Sequence, residues 1–276
     1  EIGARPVFVD VTPYYTIDAK KIEAAITKKT KAIMPVHLTG EPADMGPIME
    51  LAKKYNLPVV EDACQSISAK IDGKNVGTIG VAAGFSLHPL KNLNVWGDAG
   101  VTVTSSSEMD KKLRLLRNHG MKNRDEIDCF GYNSRLDSVQ AIVGNWIIKQ
   151  TYDITDQRIK NAAIYDAAFS QMAGKVRLPY RRPNARRVFH LYMFEVEANH
   201  RDSLLKFLVD RGIEAKVHYP IPLFLQKGLS HLGYKPGDFP ETERQAREIL
   251  TLLVDQHLSR DEIDFCIESV QAYFKR

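Results

Sequence analysis

Short apolar runs with the composition of β-strands alternate with helical segments through the first half of this 276-residue chain. The strand candidates cover residues 6–10, 32–37, 58–61, 83–87 and 101–104. The helical candidates between them cover residues 19–27, 45–55 and 109–118. Strands that alternate with helices in this way are typical of βαβ units around a mainly parallel sheet. We therefore expect an α/β domain over residues 1–150.

The pattern changes in the second half. A long helical region, residues 134–172, has a break near residues 151–155, and the segment LPYRRPNARR follows it. Residues 188–196 and 213–219 have the pattern of strands, and residues 202–210, 241–253 and 260–275 that of helices. This order predicts a connector helix and a small α+β domain over residues 151–276.

The composition excludes several classes of protein. The hydrophobic fraction of 44% and the charged fraction of 26% are those of a globular protein, and a net charge of +4 is too small to indicate nucleic-acid binding. The three cysteines are far apart and form no CxxC motif, so that neither a disulfide framework nor a zinc site is indicated. No apolar run approaches the length of a membrane span. We expect a cytoplasmic protein that binds no metal, membrane or nucleic acid.

Two ionisable residues follow predicted strands, Asp62 in LPVVEDACQ and Lys91 in FSLHPLKN. Ligands of parallel sheets bind at the carboxyl ends of the strands. An amine and a carboxylate there suit pyridoxal 5′-phosphate (PLP), because the amine can hold the aldehyde as an imine and the carboxylate can keep the pyridine nitrogen protonated. Each alone would be interpreted as a surface lysine or a helix-capping aspartate. Their combination, with Gln65 and Ser86 beside them, favours a PLP site.

Several longer motifs carry a family resemblance. EDACQSISA, FSLHPLKNLNVWGDAG and RNHGMKNRDEIDCFGYNSRLDSVQA resemble the DegT/DnrJ/EryC1/StrS family of sugar aminotransferases, as do PVHLTGEPADMGPIMELAKKYNLPVVEDA upstream and GIEAKVHYPIPLFLQ and LGYKPGDFP downstream. The resemblance covers essentially the whole chain. It implies the PLP fold type I, which is aspartate aminotransferase-like, with a mainly parallel sheet of seven-stranded type in the large domain. The family's glycine–threonine phosphate-binding turn does not precede PVFVD, so we expect an N-terminally incomplete large domain.

The resemblance also implies roles for individual residues. Lys91 would form the Schiff base with PLP and move protons, and Asp62 would pair with the pyridine nitrogen. Gln65 would contact the ring hydroxyl and Ser86 the phosphate. Asn133, in GYNSRL, would reach the phosphate of the neighbouring subunit's cofactor, which implies a homodimer with shared active sites.

Other residues carry weaker signals. Candidate substrate contacts, each also open to a structural interpretation, are His37, His88, His218 and Tyr219. Cys64 is expected to be a small buried filler rather than a nucleophile. An arginine group that suits either an anionic substrate or a solvated loop consists of Arg181, Arg182, Arg186 and Arg187.

The function that the resemblance implies is transfer of an amino group from glutamate to a keto-sugar, nucleotide-linked, for lipopolysaccharide or secondary-metabolite biosynthesis. Lysine rather than histidine at position 91 favours transamination over dehydration. Two alternatives stay open. HPLKNLNVWGD is similar to relatives that aminate a free keto-sugar acid of the 8-amino-octulosonate type, and a non-catalytic homologue would have the same fold. The set Asp62, Gln65, Ser86 and Lys91 argues against the second.

Overall fold

The computed structural model describes residues 2–275 and contains eight strands and eight α-helices in that range. The strands are β1 (Val60–Asp62), β2 (Lys70–Ile71), β3 (Lys74–Asn75), β4 (Ala82–Ser86), β5 (Gly100–Thr104), β6 (Ala185–Arg186), β7 (Tyr192–Glu195) and β8 (Ile249–Leu252). The helices are α1 (Ala19–Ala25), α2 (Met45–Tyr55), α3 (Ser107–Leu116), α4 (Ser138–Ile147), α5 (Thr151–Phe169), α6 (Ala198–Asp210), α7 (Pro240–Glu248) and α8 (Arg260–Phe274).

The sheet that carries the predicted site has the strand order β1-β4-β5. β1 and β4 are parallel, with Asp62 opposite Gly84, whereas β4 and β5 are antiparallel. Two parallel bridges, at Ile33 and Val36, extend the sheet beyond β1. The predicted α/β class is confirmed. The described residues place three strands in this sheet, however, and not the seven of the implied fold.

Residues 6–10 do not form the predicted strand. The Phe8 N–H donates to the Tyr234 hydroxyl at 3.2 Å, and the Phe8 ring packs edge-on against Tyr234 and Phe239. The Phe8 side chain therefore finds aromatic partners in the second half of the chain instead of a neighbouring strand, while Val9 packs against the core of the first half.

The predicted helix over residues 241–253 is wrong in its second part. α7 ends at Glu248, and β8 continues as a strand antiparallel to β7, with Ile249 opposite Glu195. All four residues of β8 are buried, and a bridge from Lys216 covers its other edge at Thr251. Tertiary pairing has overridden a weak local preference here. The break in the long helical region also differs, because it lies at the short 3-10 turn Ile148–Gln150.

Two buried apolar clusters account for most of the core. The first packs α1 and α2 against residues that flank β1 and against β2, and it includes Ile22, Ile48, Val59 and Ile71. The second packs α5, α6 and α8 around β7 and β8 and includes Tyr165, Phe169, Tyr192, Phe194 and Leu250. Val188 belongs to the first cluster although it follows α5. The division of the chain at residue 150 stays a prediction.

Candidate active site

Lys91 lies in a loop that begins where β4 ends. The loop is fixed by a small apolar cluster, in which Leu87, Leu93 and Val95 pack against Val143 and Ile147 of α4. The neighbouring side chain of Asn92 donates to the Val188 carbonyl at 2.9 Å. Lys91 donates its backbone N–H to the carbonyl of His88 at 2.8 Å. The loop is thus held on both sides of a half-buried lysine.

The environment of Lys91 weakens its hold on a proton. Burial lowers the pKa of the Lys91 amine, and the charges of Cys64 and Asp62 offset this in part. Burial also raises the pKa of the Cys64 thiol to about 11, so this thiol is neutral near pH 7 and Asp62 is the charged neighbour. A desolvated lysine beside a carboxylate is suited to act as a nucleophile and as a base.

Asp62 is held at the end of β1 by its backbone and by one carboxylate oxygen. Its N–H donates to the Pro35 carbonyl at 2.9 Å, and its carbonyl accepts the His37 N–H at 3.0 Å. Its Oδ1 accepts the Cys64 N–H at 3.0 Å. No nitrogen or hydroxyl group of the described residues donates to its Oδ2, and the Cys64 thiol interacts with the same carboxylate. A carboxylate oxygen of this kind can accept from a protonated ring nitrogen.

Gln65 and Ser86 stand at the same edge of the sheet. The Thr39 N–H donates to Gln65 Oε1 at 2.6 Å. Ser86 Oγ accepts the His88 N–H at 3.3 Å, which leaves the Ser86 hydroxyl hydrogen free to donate to an anion. These bonds orient both side chains before a ligand is present.

His88 is also partly oriented. Its Nδ1 accepts the Leu90 N–H at 3.2 Å, and its Nε2 lies 3.8 Å from Asp98 Oδ1. The ring is half-buried in the Lys91 loop. Its contact with a substrate stays a prediction.

His37 does not reach the surface of the site. Its ring is fully buried, Nδ1 accepts the Ala43 N–H at 2.9 Å, and Nε2 faces Glu61 Oε2 at 3.0 Å. Glu61 is buried as well and accepts the backbone N–H groups of Gly77, Ile79 and Gly80. This geometry is incompatible with the predicted contact between His37 and a substrate, since both ring nitrogens serve the core.

His218 and Tyr219 differ in how they are held. The Thr251 hydroxyl donates to the Lys216 carbonyl at 3.0 Å, so it accepts from His218 Nδ1 at 2.8 Å. Burial, with a smaller effect from Lys216, lowers the pKa of His218. A neutral ring with its hydrogen on Nδ1 presents Nε2 as an acceptor. Tyr219 is exposed, and the substrate contact of both residues stays a prediction.

The arginine group is neither a free anion site nor a solvated loop. Arg182 and Arg187 are buried beside Glu41, at 3.7 and 3.6 Å from its carboxylate oxygens. Arg181 and Arg186 pair with Asp166 and Asp156, at 2.7 and 2.8 Å. Both earlier interpretations are therefore wrong for the buried pair, whose charges are directed at a protein carboxylate.

Asn133 lies on an exposed segment. Its Oδ1 accepts the Arg135 Nε–H at 3.1 Å, and its backbone forms a bridge with Asn118. Its role at a neighbouring subunit's cofactor stays a prediction. Cys64 is half-buried rather than fully buried, with its thiol 3.7 Å from the Gly84 carbonyl, and its role as a filler stays a prediction.

Residues 2–275 contain no group of three or more His, Cys, Asp and Glu side chains that could hold a metal ion. Among the helices described in that range, none has the length and apolar character needed to cross a membrane.

A family model described as the DegT/DnrJ/EryC1/StrS aminotransferase family matches residues 1–271. The chain belongs to this family. It is 41% identical over 275 residues to a Geobacillus stearothermophilus protein called "pleiotropic regulatory protein", covering 99% of this chain and 73% of the relative. It is 40% identical over 263 residues to the UDP-N-acetyl-3-dehydro-alpha-D-glucosamine 3-aminotransferase of Acidithiobacillus ferrooxidans. This match covers 95% of this chain and 70% of the relative.

Solved structures agree with this membership. The structure of Streptomyces venezuelae DesV in complex with a ketimine intermediate superposes with a TM-score of 0.93 at 36% identity, covering 99% of this chain and 73% of that one. The structure of NtdA from Bacillus subtilis with bound cofactor PMP has a TM-score of 0.90 at 31% identity. This match covers 98% of this chain and 63% of that one. This member of the DegT/DnrJ/EryC1/StrS aminotransferase family is an enzyme of the PLP aminotransferase type, and its cofactor is PLP.

The residues of the site fit this cofactor. Lys91 offers a desolvated amine, and Asp62 offers a carboxylate beside it. Gln65 and Ser86 offer donors that suit the ring oxygen and the phosphate. The place of these four residues in the cofactor site, and the role of each, stay predictions.

Sequence reasoning missed His190. Burial lowers its pKa to about 3, and the charges of Lys91 and Arg158 contribute in the same direction, which places His190 in the electrostatic neighbourhood of Lys91. Its Nδ1 is buried with no hydrogen-bond partner in the described residues. The signal was present as one ionisable residue inside the apolar run VFHLYMF.

Proposed function

We propose that this enzyme transfers an amino group from glutamate to a nucleotide-linked keto-sugar. The observation that carries the proposal is the position of Asp62 at the end of β1, parallel to β4, where its charge acts on Lys91 in the loop that follows β4. The relative from Acidithiobacillus ferrooxidans, whose name describes amination of a UDP-linked keto-sugar, supports the substrate class.

Lys91, Asp62 and Ser86 have different roles in the proposed reaction. When bound, PLP supplies an electron-accepting ring and a carbonyl that can carry an amino group. Lys91 Nζ holds or releases a proton at the substrate carbon, because its lowered pKa makes the neutral amine accessible. Asp62 Oδ2 balances the positive charge of the ring nitrogen. Ser86 donates to the phosphate from the start of the loop that carries Lys91.

Substrate contacts are proposed for three groups near the lysine loop. His218 presents an unprotonated Nε2 that accepts a hydrogen bond from a sugar hydroxyl, while Tyr219 and His88 offer a phenol and an imidazole at the entrance. The lowered pKa of His218 supports this role, since burial keeps its ring neutral near pH 7.

We also propose that the enzyme is a homodimer in which Asn133 serves the partner's cofactor. The segment around Asn133 and the outward face of α4 expose large apolar side chains, namely Ile127, Phe130, Tyr132, Val139, Ile142 and Trp146. A surface of this kind is typical of a protein interface. Sedimentation of the wild type and of Trp146→Glu would test the proposal: we expect a dimer and a monomer respectively, and a monomeric wild type would contradict it.

A cytoplasmic location and a role in lipopolysaccharide or secondary-metabolite biosynthesis complete the proposal. All three cysteines are free, which suits a reducing compartment. The keto-sugar acid alternative is weakened, because Glu41, Asp156 and Asp166 neutralise the arginines that would bind its carboxylate. The names of two relatives, "pleiotropic regulatory protein" and "erythromycin biosynthesis sensory transduction protein", favour a non-catalytic homologue, whereas the aminotransferase family to which the chain belongs argues against it.

The deciding experiment is a visible spectrum of the protein with PLP, followed by addition of glutamate. Lys91→Ala is the test variant, and the exposed Lys227→Ala is the matched control. We expect a visible band that glutamate bleaches, with release of 2-oxoglutarate, in the wild type and the control but not in Lys91→Ala. A band that glutamate leaves unchanged would exclude this donor. A folded wild type without any band would establish the non-catalytic alternative.

A further inference from the structure

Gln65 has its carbonyl oxygen committed to the protein. The Thr39 N–H donates to Gln65 Oε1 at 2.6 Å, and a backbone N–H can bond only to the oxygen of a side-chain amide. The amide is planar, so its NH2 group faces away from Thr39. We infer that Thr39 is a positioning residue that fixes Gln65 as a hydrogen-bond donor toward the ring oxygen of PLP. This inference rests on the proposed function.

Thr39 is itself held in an unusual backbone conformation. Its φ of 57° lies in the left-handed region, which is unfavourable for a β-branched residue. Two hydrogen bonds of its hydroxyl stabilise the conformation, since Oγ1 donates to the Leu38 carbonyl at 2.7 Å and accepts from Arg187 Nη2 at 3.2 Å. The Thr39 carbonyl also accepts the His190 N–H at 3.0 Å.

The next residue shows how closely the two segments approach. Gly40 has a φ of 95°, and a Cβ at this position would lie 2.7 Å from the Phe189 backbone nitrogen. Residues 38–40 are therefore pressed against residues 187–190. Arg187 is buried and faces Glu41 at 3.6 Å, so its guanidinium cannot swing away into solvent. Arg187 thus holds Thr39 through a side-chain hydrogen bond, and Thr39 holds Gln65 through its backbone N–H.

The polarity of Gln65 has a chemical consequence. An NH2 donor stabilises the anionic form of the ring oxygen, whereas a carboxylate in its place would repel that anion. In Gln65→Glu, the Thr39 N–H would occupy one carboxylate oxygen and the other would face the ring. The variant nearly preserves the shape of the side chain, so that any effect reports charge and donor polarity.

The test is a pH titration of the visible band of bound PLP, together with the PLP dissociation constant. We compare the wild type with Gln65→Glu and with the exposed control Gln226→Glu. We expect Gln65→Glu to raise the midpoint of the titration by about one pH unit and to weaken PLP binding about tenfold or more. The control should match the wild type in both quantities.

A second variant distinguishes the contribution of the Thr39 backbone N–H from that of the Thr39 hydroxyl. Thr39→Gly keeps the N–H and tolerates a positive φ, so we expect the wild-type midpoint with weaker PLP binding. A Thr39→Gly midpoint displaced as far as that of Gln65→Glu would overturn the inference. The inference would also be overturned if the wild type shows its visible band and Gln65→Glu has the same titration midpoint and the same PLP dissociation constant. That outcome would leave the proposed function intact. A wild type without the band would instead refute the proposed function.

Discussion

Asp10 ties the N-terminal segment to α7, although Asp10 and Glu241 are 231 residues apart. Its carboxylate accepts the N–H groups of Glu241 and Thr242 at the start of α7, the Thr242 hydroxyl at 2.8 Å and the Lys21 ammonium at 2.9 Å. It thus acts as a long-range cap, in the position where a helix binds negative charge best. We predict that Asp10→Asn destabilises the protein in a strongly pH-dependent way.

The magnitude follows from the pKa of Asp10. Burial alone would raise this pKa, but the hydrogen bonds from Lys21, Thr242 and Val11 outweigh it and lower the pKa from 3.8 to about 2. At about 1.36 kcal/mol for each unit of pKa, the ionised form contributes about 2.4 kcal/mol to the free energy of unfolding. Because the folded pKa is the lower one, this contribution is complete above pH 3.8 and is lost as the pH falls through about 2.

Urea unfolding followed by circular dichroism at pH 7, 5 and 3 would measure the difference between the wild type and Asp10→Asn. We expect a loss of about 2.4 kcal/mol at pH 7 and pH 5 and a smaller one at pH 3, which lies between the folded and the unfolded pKa of Asp10. Asp264→Asn, which removes a surface partner of Arg260, is the matched control and should change little. A loss for Asp10→Asn that is no larger than that of the control, or that grows as the pH falls, would refute this account of the cap.

Three further predictions concern groups around the site. Glu61→Gln should lower the free energy of unfolding by about 2–4 kcal/mol in a denaturant titration. One amide oxygen cannot accept hydrogen bonds from three backbone N–H groups and from the His37 ring. An unchanged midpoint of the denaturant titration would contradict this prediction. Arg187→Met should cost about 3 kcal/mol, because it removes one of the two arginines, Arg187 and Arg182, that balance the buried Glu41 carboxylate. Adding Glu41→Gln should recover part of that loss, and additive losses would argue against the pairing. The His190 ring should show no change of NMR chemical shift between pH 5 and pH 8, because burial lowers its pKa to about 3, and a midpoint near pH 6.5 would exclude a buried neutral ring.

The helices and the strands that carry the site were accessible from the sequence. α2 begins and ends where the apolar periodicity predicted it, and its end at Asn56 has a left-handed residue, for which asparagine is suited. β4 and β5 lie within one residue of their predicted bounds. Local signals were sufficient here because the pattern and the tertiary environment agree.

The errors occurred where a distant partner decides the structure. β8 is a strand because β7 and Lys216 bond to both of its edges, and neither partner is visible in the sequence around residue 250. His37 and His218 both lie near the ends of predicted strands. Both ring nitrogens of His37 are occupied by Glu61 and Ala43, whereas among the described residues only Nδ1 of His218 has a hydrogen-bond partner. Only the three-dimensional partners of each ring distinguish the two cases.

The adjacent acids Glu61 and Asp62 show which part of the site follows from elementary geometry. Successive side chains of a strand point to opposite faces, and β1 alternates between half-buried Val60, fully buried Glu61 and half-buried Asp62. Glu61 therefore enters the core, where three N–H groups and His37 stabilise its carboxylate. Asp62 is left on the face where Lys91 lies. A one-residue slip of β1 would exchange the faces of the two carboxylates, so the contacts that bury Glu61 also place Asp62 on the face where we propose the cofactor site.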